Sequence, residues 1–452
     1  MRPKSVASVS VLYNVTTSFK DLPISPETIE SLESHGYINA FPIQEMVLPI
    51  ALRGDDVIGQ AKTGTGKTLG FGIPLIENIQ APKDEGWEYF DHKNFPQALV
   101  VVPTRELCIQ VAKDLEEIST KRGLRILAIY GGRPFEPQIE AIKEGVEVIV
   151  GTPGRLLDLY RQGHLTLKHV TRVVLDEADE MLDLGFLPDV EKIFSSTPHR
   201  TQTMLFSATM PGDIITLARK FMNQPIHIRT QEVEDDGQVV SRIEQHVFRA
   251  HAMDKIEMLA RILQAEGRGS TIVFCRTKRT AQAAADDLKE RGYKSVSLHG
   301  DMGQAAREKA LADFKKGKAD ILVATDVAAR GIDIDGITHV INYQAPEDDK
   351  TYVHRIGRTA RAGAHGIAVT FVDWDELPRW KTIDETLGLK LGEPVETYSS
   401  SDHLFSALKI PVGATGRPGK IKKDSGAPVT QQVQKVERVK RERKRTKRIS
   451  AQ

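Results

Sequence analysis

The chain is predicted to be an α/β protein with two parallel-sheet domains in tandem and a basic, disordered C-terminal tail. Three observations predict it. Short runs rich in Val, Ile and Leu alternate with stretches of helical periodicity, the pattern of parallel strands covered by helices on both faces. The series is interrupted by an acidic, Gly-containing segment and then begins again. Beyond about Tyr398 the periodicity fades, and Gly413–Pro418 is followed by a run of lysines and arginines.

Residues 1–18, with Arg2 and Lys4, many Ser and Thr and no acid before Asp21, are expected to be an N-terminal extension. The first domain, 19–229, has candidate strands at Asp56–Gly59, Ala98–Val102, Arg125–Tyr130, Val146–Val150, Arg172–Leu175, Thr203–Ser207 and Ile226–Ile228, with helical periodicity over stretches such as Arg105–Thr120. Residues 230–241 carry Glu232, Glu234, Asp235, Asp236 and Gly237 and read as a linker. The second domain, 242–397, has strands expected at Thr271–Cys275, Ser295–Leu298, Ile321–Ala324, His339–Asn342 and Ile367–Phe371. One of its helices places Ile256, Leu259, Ala260 and Leu263 on one face. Residues 398–452 are left as the flexible basic tail.

Composition narrows the function. Of 452 residues 40% are hydrophobic and 27% charged, with no apolar run long enough to span a bilayer. Cys108 and Cys275 stand far apart, which argues against a disulfide framework or zinc site and fits a reducing, cytoplasmic setting. Net charge is +1 but unevenly spread: thirteen Lys/Arg against three Asp/Glu from Arg417 onward give +10, leaving −9 for residues 1–416. A basic arm on an acidic body is either a solvated tail or a nucleic-acid contact.

Two motifs carry chemistry on their own. Ala61-Lys62-Thr63-Gly64-Thr65-Gly66-Lys67-Thr68 follows a short apolar run and opens a helix, which makes it a phosphate-gripping loop. Its glycines allow successive N–H groups to point inward, Lys67 can reach β and γ phosphates, the Thr68 hydroxyl can hold Mg²⁺, and the helix adds its positive end. Ala61 stands in the first glycine position of the general pattern, which requires it to keep a negative φ. Asp176-Glu177-Ala178-Asp179 follows the apolar strand Val173-Val174-Leu175, at the edge where such sheets bind ligands. Asp176 can hold Mg²⁺ through water and Glu177 can orient and deprotonate an attacking water. Alone, the first could be an ordinary Gly-rich turn and the second a helix cap.

Together, these two motifs resemble those of the DEAD-box RNA helicases of helicase superfamily 2, and further motifs of that family follow in order from Phe19 to about Gly366. The resemblance implies RecA-like domains, ATP and Mg²⁺ as cofactors, RNA as partner and RNA-stimulated ATP hydrolysis. Gly36-Tyr37-Ile38-Asn39-Ala40-Phe41-Pro42-Ile43-Gln44 is similar to the family's Q motif, with Phe19 seventeen residues upstream. This implies that Gln44 reads the adenine edge, for which an amide's donor and acceptor suit, and that Phe19 stacks on the ring. Phe41 stands where many relatives have Thr.

The resemblance assigns RNA-backbone contacts to Thr104 and Arg105, to Gly131, and to Thr152 and Arg155, all just after candidate strands, where Gly, Thr and Arg can give donors to phosphates without reading bases. Ser207 and Thr209 are implied to couple hydrolysis to strand separation, their hydroxyls linking the acidic tetrad to the domain interface. In the second domain Arg276, Thr277, Gln304, Arg307 and Thr325 are implied RNA contacts, and Asp333 a ribose contact. His354-Arg355-Ile356-Gly357-Arg358-Thr359-Ala360-Arg361 is similar to motif VI, making Arg358 and Arg361 arginine fingers for the γ-phosphate and His354 a coupling residue. Three arginines at helical spacing are costly to cluster without an anion. Ala360, where relatives often have Gly, is expected to be harmless on a helix.

Phosphate loop and acids in one domain, fingers in the other, imply hydrolysis upon closure about the linker. An ATP-gated RNA clamp without unwinding is the alternative; a DNA translocase is disfavoured by the tetrad and Gln44, and a metabolic kinase by the fingers. The chain's compactness is similar to bacterial members that work with ribosome-assembly or RNA-decay factors.

Overall fold

A computed structural model describes residues 17–61, 64–230, 243–329, 334, 336–360 and 365–418. Among the described residues, fourteen strands form two sheets: β1 Val57–Gln60, β2 Ala98–Val101, β3 Ile126–Ile129, β4 Val148–Gly151, β5 Arg172–Leu175, β6 Gln202–Ser207 and β7 Ile226–Arg229, then β8 Ile243–Ala250, β9 Ser270–Phe274, β10 Ser295–Leu298, β11 Ile321–Ala324, β12 Ile337–Asn342, β13 Gly366–Val372 and β14 Val395–Thr397. Every described pairing within the sheets is parallel.

The orders are β3-β4-β2-β5-β6-β1-β7 and β10-β11-β9-β12-β13-β8-β14. Adding seven to each strand number of the first order gives the second, so the two domains repeat one topology. Central strands such as β1, β2, β4, β6 and β11 are buried along their whole length, as strands covered on both faces must be. Helix Arg105–Ser119 shows how the covers form: Thr104 caps it by accepting Leu107 N–H, and Leu107, Cys108, Val111, Ala112, Leu115 and Ile118 make its buried stripe.

Strand ends shift by one or two residues from expectation, and β8 and β14 are additions. The tail boundary is corrected. Asp402–Ala407 is a helix, and Leu404, Leu408, Ile410 and Ala414 are buried in the second core. Gln264 then clamps the chain beyond, accepting Gly416 N–H at 2.7 Å and donating to Arg417 C=O at 2.9 Å. Four spaced apolar side chains are enough to fold a segment whose periodicity is too short to stand out. Thr230 still hydrogen-bonds Gln60 of β1; the rest of the expected linker, and the basic residues from 419 on, lie outside the described residues. Among the described residues no helix is long and apolar enough to cross a membrane.

Candidate nucleotide and interdomain site

In parallel α/β sheets the strand C-termini form the ligand edge, and the candidate residues follow that rule. The phosphate loop leaves β1, Thr104 and Arg105 follow β2, Gly131 follows β3, Thr152 follows β4, the acidic tetrad follows β5, and Thr209 follows β6. Arg276, Gln304 and Thr325 follow β9, β10 and β11 in the second sheet.

At the loop, Ala61 is fully buried and donates its N–H to Ser207 C=O; it is not among the residues of positive φ, as required. Gly64 and Gly66 take φ of 84° and 80°, which only glycine adopts freely. Thr65 and Thr68 are half-buried beside them, whereas Thr63 lies outside the described residues. Lys67 begins helix Lys67–Glu77 and is 6% exposed, yet its Nζ is buried with no hydrogen-bond partner. A buried ammonium left so is costly unless an anion meets it.

Across from it, Asp176 is buried after β5, its Oδ1 accepting Glu177 N–H at 3.0 Å. Burial pushes the Asp176 carboxyl up, with Lys67 opposing and Glu177 adding to the rise. Glu177 takes the left-handed conformation, φ 53° and ψ 53°, and its Oε2 is buried and unpartnered. Strained backbone with an unsatisfied carboxylate is the mark of a functional position. Asp179 is the hub of the expected coupling contacts: it receives Thr209 N–H and Thr209 Oγ1, both at 2.8 Å, and its own N–H donates to Ser207 Oγ at 3.1 Å. Burial pushes its carboxyl up, but Lys67 and the two hydroxyls outweigh that and hold it below the usual range. These groups fit a nucleotide with its divalent cation: an orphaned ammonium for phosphate, a crowded carboxylate pair for the metal.

Gln44 is fully buried and joins the Q segment to the phosphate loop, Nε2 donating to Gly66 C=O at 2.7 Å and Oε1 accepting Phe41 N–H at 2.8 Å. Phe19 corrects its expectation: at 2% exposure its ring belongs to the first core. The short turn Phe19–Asp21, capped by Ser18 and tied by Phe19 N–H to Ile38 C=O, turns the ring inward.

The two ligand edges meet. Arg105 donates to Gln304 Oε1 at 3.3 Å, Arg307 pairs with Glu106 at 2.8 Å and Arg133 with Glu308 at 2.6 Å. A Cβ at Gly132, whose φ is 82°, would overlap the Arg105 guanidinium, so Gly132 makes room for that arginine. Arg155 lies over the Phe135 ring at 3.9 Å and donates to Arg133 C=O, leaving Nη1 buried and unpartnered; burial lowers its basicity. Thr104 and Thr277 serve as helix caps, and Thr152 stands at a cap position without a side-chain bond. Arg276 is engaged by Glu376 and Ala345 C=O.

Motif VI departs from the expected helix. Helix Asp349–Ile356 stops before Arg358, and Ala360 has φ 58°. Arg358 is half-buried and His354 exposed; Arg361 and Asp333 lie outside the described residues. Arg355 is fixed by Asp326, Nε to Oδ1 at 2.6 Å and Nη2 to Oδ2 at 2.7 Å, and by Asn342 and Gln344. Asp326, Glu106 and Glu308 were given no role by sequence; no spacing rule reveals acids that act by pairing with arginines distant in the chain.

Two repeated parallel-sheet domains, a phosphate loop and acids on one and arginines on the other, define a two-domain P-loop ATPase of the helicase type. The DEAD/DEAH box helicase profile matches residues 41–217, and that of the helicase conserved C-terminal domain matches 254–363. A DEAD-box ATP-dependent RNA helicase CshA of Geobacillus kaustophilus is 46% identical over 375 residues, 83% of this chain and 78% of that protein. The Listeria monocytogenes ATP-dependent RNA helicase CshA is 44% identical over 394 residues, 87% and 73% of the two chains. Among solved structures, S. cerevisiae Dbp5 bound to RNA and ADP BeF3 aligns with a TM-score of 0.72 at 28% identity, covering 87% of this chain and 98% of that one. Mss116p bound to ssRNA and AMP-PNP aligns at 0.71 and 26%, covering 87% and 82%. The chain belongs to the DEAD-box family of ATP-dependent RNA helicases.

Proposed function

We propose that this helicase hydrolyses ATP when its two ligand edges close on single-stranded RNA, and that closure expels the complementary strand from a short duplex. The observation that carries the reading is the buried, unpartnered Lys67 Nζ beside Asp176 and Glu177. Lys67 and the loop N–H groups bind the phosphates. Thr68 and Asp176 would hold Mg²⁺, which supplies charge neutralisation at the transferring phosphoryl group. Glu177 orients the attacking water and takes its proton, while Arg358 and Arg361, brought from the second domain, stabilise charge on the γ-phosphate. Ser207 and Thr209, through Asp179, tie this chemistry to the edge that faces the partner domain.

RNA follows the line Thr104, Arg105, Gly131, Thr152, Arg155 and onward to Arg276, Thr277, Gln304, Arg307 and Thr325, contacted by its backbone and favoured over DNA through its 2′-OH groups. Because ATP and RNA favour the same closed arrangement, each tightens binding of the other. Work in the cytoplasm with ribosome-assembly or RNA-decay factors completes the proposal.

The test is Glu177→Gln. It should keep ATP and RNA binding, lower turnover by about 10²–10⁴-fold and abolish displacement of a short RNA duplex. Unimpaired hydrolysis would remove the general-base role; a wild-type protein that hydrolyses ATP on RNA yet displaces no duplex is a clamp.

A further inference from the structure

Phe41 is unexplained by the site as described. Its ring is 58% exposed, at the cap of helix Pro42–Ala51, where short polar side chains are favoured because they bond a free N–H. It makes no side-chain cap bond. Instead it stands on the phosphate loop: a Cβ added at Gly66 would come 2.7 Å from Phe41 Cδ2 and 2.5 Å from Gln44 Nε2. Gln44 in turn bonds both Phe41 N–H and Gly66 C=O. Ring and loop are therefore held against one another by bonds at both ends of the same buried amide. The other ring proposed for a base, Phe19, is locked in the core.

We propose that Phe41 is an affinity-setting contact of the nucleotide site, its open face packing on the nucleoside half of the nucleotide whose phosphates Lys67 receives. The proposal rests on the nucleotide reading of that loop. An aromatic face stacks on any base, since every base offers a π surface; an amide reads only the edge it matches. Affinity then comes from Phe41 without regard to base, while Gln44, buried with both amide ends bonded, holds the ring to the loop.

The test is equilibrium titration of the full-length protein with ATP and with GTP in the presence of Mg²⁺. Phe41→Ala should weaken both nucleotides by the same factor, about ten-fold, and Phe41→Leu should restore only part of the loss. Since the side chain is exposed, an unchanged melting temperature should accompany both variants. Binding as tight as wild type or tighter in Phe41→Ala would overturn the proposal, because the ring would then be a cover over the loop. So would a loss confined to ATP, because the ring would then be acting through Gln44. A wild-type protein that binds neither nucleotide would overturn the nucleotide reading itself, and this inference with it.

Discussion

At the scale of residues, the site is a set of unsatisfied groups. Lys67 Nζ and Glu177 Oε2 are buried without partners, and Glu177 is held in a conformation that costs about 1–3 kcal/mol for a non-glycine residue. Their identity was legible because phosphate chemistry demands fixed residue types at fixed spacing. Burial was not: nothing in the sequence turns Phe19 inward while leaving Phe41 in water. His339 illustrates a different kind of buried group, away from the site. It is enclosed in β12 with Nε2 unpartnered, and burial, then Arg268, lower its pKa from 6.5 to about 4, with Glu244 opposing. Above pH 6.5 its neutral form is common to both states and carries no stability cost. As pH falls from 6.5 to about 4 the unfolded chain takes up a proton that the folded chain refuses, and stability falls by up to about 1.4 kcal/mol per pH unit. Denaturation of His339→Gln should show a shallower loss over that window than wild type; parallel slopes would contradict it.

Elements were legible where they are long, apolar and buried on both faces, which is why β5, β10 and β11 fall where expected. β8 escaped because Glu244, Gln245, His246 and Arg249 interrupt its apolar pattern, and β14 because three residues carry no periodicity. The end of helix Asp349–Ile356 escaped because Ala360 disguises a left-handed position as a helical one. Removing its Cβ relieves about 1–2 kcal/mol of backbone conflict, against up to about 1 kcal/mol of added unfolded-chain entropy. Ala360→Gly should therefore stabilise the second domain by roughly 0.5–1 kcal/mol, read from urea unfolding; a destabilised variant would show that the turn is held by something other than its φ.

At the scale of the whole molecule, the repeated topology sets two ligand edges face to face, and Arg105, Arg133 and Arg307 find their partners across that gap. The second domain needs its C-terminal strap through Gln264, so the basic arm is best removed after Pro418. Residues 419–452 hold twelve Lys/Arg and three Asp/Glu. Their deletion should weaken RNA binding and flatten its dependence on salt while leaving ATP affinity intact, because phosphate neutralisation releases counterions. An unchanged salt slope would make the arm a solvated tail. The central claim is that hydrolysis waits for RNA to bind between the two edges. Its most direct test is steady-state ATP hydrolysis by the full chain with no nucleic acid, with single-stranded RNA and with DNA of the same sequence. Strong stimulation by RNA alone is the predicted result; equal stimulation by DNA, or full activity with neither, would contradict it.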